Sequence, residues 1–172
     1  MSQFAAWLSL TRWSLAIKVH EWVIPAVQSV HIVAIGVVLA SAFMIDLRIL
    51  GWAGRDQTLS ETTARFSPWL TGALVILLVT GVIMVLGEPP RELLAFSFWS
   101  KMCLVAIGTV AAVAFQVSLR RHALQWETSL VHHWGIKSLA ILTFLIWVCV
   151  VVLGRLIAYD HLWGSWSMSP KA

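Results

Sequence analysis

Charge is scarce in this chain. Only 12% of its 172 residues are Asp, Glu, Lys or Arg, against roughly 25% in ordinary soluble domains, so a continuous water-facing surface cannot be built from it. Cysteine is scarcer still. Cys103 and Cys149 both fall inside apolar stretches and form neither a disulfide framework nor a CxxC metal motif, so they read as buried free thiols. The chain has no catalytic nucleophile motif, no phosphate-cradling glycine loop and no HExxH, and its apolar stretches carry no carboxylate pair at catalytic spacing, which argues against a conventional hydrolase or ATPase. No nucleic-acid-binding pattern accompanies the net charge of +4, a small excess that suits anionic lipid headgroups. Residues 1–18 lack a basic start, an uninterrupted apolar core and a small-x-small cleavage site, so a cleavable signal peptide is not expected.

What the chain has instead is long hydrophobic runs. Hydrophobic residues make up 59% of it, and four runs stand out at roughly 22–45, 69–86, 99–119 and 138–158. Each approaches the ~20 residues that a helix needs to cross ~30 Å of hydrocarbon. Eight of the 11 tryptophans, among them Trp22, Trp52, Trp69, Trp99 and Trp126, fall at or beyond the ends of these runs, the pattern of an aromatic belt; Trp147 is mid-run. Connections this short predict an all-α, up-down-up-down four-helix membrane bundle filling the whole chain as one domain, 1–172. Within residues 1–19, Phe4, Trp7, Leu8 and Leu15 alternate with Ser9, Arg12, Ser14 and Lys18, predicting an amphipathic helix lying in the interface. The first loop (46–67) carries Asp46, Arg48, Arg55, Asp56, Glu61 and Arg65. Its basic residues, with Arg120, Arg121 and Lys137, slightly outnumber those free on the other side once Lys101 and Arg155 are assigned to span ends. The positive-inside rule then puts both termini in the periplasm of a bacterial inner membrane.

Ionisable residues inside spans cost about 2.5–3.5 kcal/mol each near a helix centre and so demand an explanation. His31 is the deepest, roughly 13 Å below Trp22. It is either a packing histidine bonded to a neighbouring group or a ligand. Lys101 opens the third run and Arg155 closes the fourth, both on the side of His31, and Glu88 ends the second run there. Singly, Lys101 and Arg155 read as snorkelling side chains; together with His31 they outline an inward polar pocket. His132 and His133 lie at the opposite face, too far in depth to pair with His31 on one haem. Gly36, Gly72, Gly81, Gly108 and Gly154 punctuate the runs, either for close helix packing or to admit a flat cofactor.

The segment from Trp22 through Pro25 to His31, with Met44-Ile-Asp-Leu-Arg-Ile-Leu-Gly51, Trp99-Ser-Lys101-Met and Gly154-Arg155-Leu-Ile-Ala-Tyr159, resembles a family of small bacterial four-helix inner-membrane proteins without an assigned activity. More distantly, His31 in an early helix and Lys101 opening a later one are similar to HemJ-type protoporphyrinogen oxidase and to the membrane domain of copper-resistance protein D. That resemblance implies haem b held by His31, with porphyrin or quinone redox chemistry. Lys101 and Arg155 would pair the propionates, Gly36 and Gly81 would admit the macrocycle, and Met84, Met102 or Lys101 would be open as a second axial ligand. Two other expectations stand beside it. One is a cofactor-free subunit of a larger membrane complex or homo-oligomer; the other is copper handling through His31, Met84, Met102 and Cys103.

Overall fold

The structure is a computed structural model that describes residues 2–122, 126 and 134–156. The expectations resting on His132, His133, Tyr159, Trp163, Trp166 and Lys171 fall outside the described residues. Four long helices cross the molecule: α3 (Val23–Leu50), α4 (Leu59–Gly87), α6 (Phe96–Arg121) and α7 (Trp134–Leu156). Among the described residues three short ones gather at one end: α1 (Ser2–Ser9), α2 (Arg12–Val19) and α5 (Pro89–Leu93). Each long helix contains a stretch apolar enough to span a bilayer, yet only 11% to 28% of those stretches is buried within the chain. So much exposed hydrocarbon requires lipid as the solvent, and the protein is a multi-pass membrane protein with an all-α fold.

The termini of the helices have local causes. The α3 helix stops at Gly51, which takes the left-handed conformation (φ 74°) and returns its N–H to the Arg48 carbonyl at 3.1 Å, while Trp52 N–H reaches Leu47 O at 3.0 Å. The α4 helix starts at Leu59 rather than near residue 69. Thr58 and Glu61 form a capping box: Glu61 N–H donates to Thr58 Oγ1 at 3.1 Å, and Thr58 N–H donates to Glu61 Oε2 at 2.7 Å. Pro68 is absorbed in its interior, so the first loop shrinks to 51–58. Glu88 ends α4, and Pro89 at the first position of α5 turns the chain before Trp99 Nε1 ties α6 back to Leu93 O at 3.0 Å.

Around the bundle, α3 packs along α4 on one side and α7 on the other, and α7 packs on α6; α4 and α6 meet only sparsely. The result is a ring of antiparallel neighbours with one open seam. The N-terminal stretch is divided at Thr11, whose side chain caps α2, and it docks on protein as well as facing the interface: α1 sits against α5, α2 against α4, with Ala5 and Ser14 buried. Cys103 and Cys149 are exposed on outward faces, not buried as free thiols inside the bundle, because with lipid as solvent the outside of a span is as apolar as the inside.

Candidate functional site

One face of α3 is buried from His31 to Ile49: His31, Ala34, Val38, Ser41, Ala42, Ile45, Asp46 and Ile49, spaced as one helical stripe. The residues on it are small or aliphatic apart from three, and those three are the polar ones. His31 lies about 12 Å along α3 from Val23. Its Nδ1 is 2.6 Å from Thr80 Oγ1 on α4. The Thr80 hydroxyl also stands 2.7 Å from Ile76 O and 3.3 Å from Leu77 O. Carbonyl oxygens only accept, so with the hydroxyl proton on Ile76 O the imidazole donates from Nδ1, and we assign that tautomer. That assignment leaves Nε2 with its lone pair. Gly81 lies beside the ring, where a Cβ would come 3.8 Å from His31 Cε1.

The other two long helices reach the same end. Lys101, half-buried on α6, is close enough for its charge to act on His31 and on Glu92 of α5. Its side chain runs past Gly154 of α7, with Nζ 3.4 Å from where a Cβ would sit, so the lysine packs along the bare backbone there. Burial pushes the Glu92 carboxyl above its ordinary range; Lys101 and Arg91 pull it back, and Glu88 adds to the rise. Each of the four spans thus contributes to one polar cluster: His31 from α3, Thr80 and Gly81 from α4, Lys101 from α6, Gly154 from α7.

Of the residues expected from sequence, the structure brings His31, Gly81 and Lys101 together. Met84 is half-buried one turn beyond Thr80 on α4. Arg155 is exposed near the end of α7, next to Gly154. Gly36 has no part in the cluster: it faces outward, and a Cβ there would meet nothing within 4 Å. Met102 and Cys103 lie on the exposed side of α6, away from buried His31. Among the described residues no group of three or more His, Cys, Asp or Glu converges as a metal site.

Sequence reasoning missed Thr80, Glu92 and Asp46. Asp46 is the first loop residue by its sequence, but α3 continues through it, and the residue is buried with Thr143 Oγ1 at 3.2 Å from its Oδ1. The sequence does carry a signal, since 46 is fifteen residues from His31 and falls on the same helical stripe. Three clefts are distributed elsewhere, and none includes His31. One, of about 90 Å³, adjoins Asp46. One, of about 490 Å³, lies in the α4–α6 seam beside Ser60, Thr63, Ser67 and Gln116. The third is a shallow groove along α6.

Comparison with known proteins finds no curated protein and no solved structure that matches this chain. A family model does match, over residues 18–160, and that range takes in all four spans and every residue of the polar cluster; the chain belongs to a family of unknown function, DUF6644.

Proposed function

We propose that this is a bacterial inner-membrane protein, with both termini periplasmic, that binds a redox cofactor carrying carboxylates, haem b, at the His31 end of the bundle. The observation that carries this reading is the 2.6 Å contact between His31 Nδ1 and Thr80 Oγ1. An intramembrane imidazole whose Nδ1–H is held by Thr80 presents Nε2 as a ready donor, the arrangement by which an outer hydrogen bond orients a metal-ligating histidine. The chemistry of the donor set fits the group. His31 Nε2 would ligate iron, and Lys101 and Arg155 would pair the propionates, offsetting the cost of holding a cation at the edge of the hydrocarbon. Gly81 brings the α4 backbone beside the imidazole ring with no side chain between them, and Met84 is a candidate second donor. The sparse contact between α4 and α6 offers lateral entry for a planar ligand. Haem b, when bound, supplies one-electron redox chemistry, with a quinone or porphyrin as its natural partner in the bilayer.

The test is a reduced-minus-oxidised absorption spectrum of detergent-purified protein beside His31→Ala. Soret and α bands present in the wild type and lost in the variant support the reading; a folded, colourless wild type from haem-replete cells overturns it. A second reading, a cofactor-free subunit of a larger complex or homo-oligomer, is favoured by α6, whose spanning stretch is only 11% buried, the least of the four. Under that reading a partner helix covers α6 and co-purifies in mild detergent.

A further inference from the structure

We propose that Asp46 forms one wall of a second binding site, toward the opposite end of α3 from His31, that takes a small primary alkylammonium ion. Asp46 is only 7% exposed. Its Oδ2 has no hydrogen-bond partner among the described residues. Among the described residues its Oδ1 has only Thr143, and that hydroxyl proton is shared: Thr143 Oγ1 is 3.2 Å from Oδ1, 3.1 Å from Leu139 O and 2.8 Å from Ala140 O. A carboxyl group with this little donation, more than nine-tenths buried in a span, is a group built for something that arrives from outside.

The cavity it lines holds about 90 Å³, room for about three waters or one small organic ion. Its polar lining is Asp46, Thr143 and Gln116; Leu70, Phe115 and Trp147 contribute apolar and aromatic wall. Among the described residues no lysine, arginine or histidine lines it, and Arg48, two residues on, directs Nε to the Gln57 carbonyl at 2.7 Å. A primary ammonium carries one positive charge and three N–H donors. Asp46 Oδ2, Thr143 Oγ1 and the Gln116 side-chain carbonyl are three acceptors, one of them anionic. A one- or two-carbon tail would then lie against Leu70 and Trp147, and the aromatic rings favour the cation. A metal ion would want more oxygen or nitrogen ligands than the described residues bring to the cavity.

The experiment is calorimetric titration of the full chain in lipid nanodiscs with ethylammonium chloride, with sodium chloride and tetramethylammonium chloride at equal ionic strength as controls. Saturable binding of ethylammonium, absent for both controls and weakened about tenfold or more in Asp46→Asn, supports the site. No saturable heat in the wild type overturns it, as does equal binding of tetramethylammonium, which has no N–H, or an Asp46→Asn variant that binds as well as wild type. Should Asp46→Asn fail to fold by circular dichroism, Gln116→Leu and Thr143→Val are read in its place: at least one must weaken binding, and unchanged affinity in both overturns the proposal.

Discussion

The contact between His31 and Thr80 yields the sharpest expectation of stability. Thr80→Val keeps the shape of the side chain and removes the oxygen that accepts the Nδ1–H at 2.6 Å. His31 is itself only 9% exposed, so the orphaned donor has little access to water. Leaving a buried donor unpaired costs about 1–3 kcal/mol. Hydrogen bonds between membrane helices measured by double-mutant cycles are smaller, averaging about 0.6 and reaching about 1.7 kcal/mol, because the unfolded chain in the membrane finds other partners. The short distance and the depth of the pair place it toward the upper part of that range, so a coupling energy of about 1–1.5 kcal/mol is expected between His31→Leu and Thr80→Val. Thr80→Ser, which restores the acceptor, should recover most of the loss. The assay is reversible unfolding in mixed micelles by denaturing detergent. Nitrogen-15 NMR of labelled histidine supplies an independent readout: wild-type His31 should show a protonated Nδ1, and Thr80→Val should redistribute the proton. A coupling energy within ~0.3 kcal/mol of zero, together with an unchanged tautomer, would refute the assignment.

Three further expectations rest on separate features. Gly108 faces Trp147, and a Cβ would approach Cζ2 at 3.3 Å; Gly108→Ala should be near neutral, its helix-propensity gain of up to ~1 kcal/mol offset by the push on a buried ring. Gly108→Leu should cost ~1–3 kcal/mol by overpacking, measured by the same unfolding assay. Gly51 holds a φ of 74°, so Gly51→Ala should destabilise by about 1–2 kcal/mol through the left-handed strain alone, while Gly36→Ala, in open space, should not. Glu92 binds its proton more tightly folded than unfolded, so folding stability should fall as pH rises from the ordinary value of 4.5 through the raised one, and be fuller below it. Glu92→Gln should flatten that part of the pH profile, read as melting temperature against pH; a profile identical to wild type would count against the burial of the carboxyl.

The four spans were legible in the sequence because long apolar runs have few other uses, and His31 and Lys101 were legible because charge in such a run is expensive. The rest was lost for identifiable reasons. The first turns of α4 are rich in Ser and Thr, and so resemble a loop, although Thr58-x-x-Glu61 was a capping signature that announced the helix. Asp46 was lost with them, since one carboxylate at the end of an apolar run looks like the first residue outside the membrane. Thr80 carries no charge and stands among aliphatic neighbours, so only a partner 49 residues away reveals its role. Cys103 and Cys149 were misplaced by a rule for water: in lipid, apolarity says that a residue is within the membrane and nothing about which way it faces.

The placement of the two polar sites on one helix bears on how they can communicate. His31 and Asp46 are fifteen residues apart on α3, about 22 Å, most of the depth of the hydrocarbon. Between them the buried face of α3 holds Ala34, Val38, Ser41, Ala42 and Ile45, and Leu70, Ala73 and Trp147 close over it from α4 and α7. Ser41 is the one polar side chain on that buried stretch of α3, and a single hydroxyl cannot relay a proton over such a distance. A charge arriving at one site is therefore separated from the other by packed hydrocarbon. Coupling between them therefore runs without proton relay, through α3 shifting as a rigid rod against α4 and α7 or through the field of a charge that hydrocarbon screens poorly.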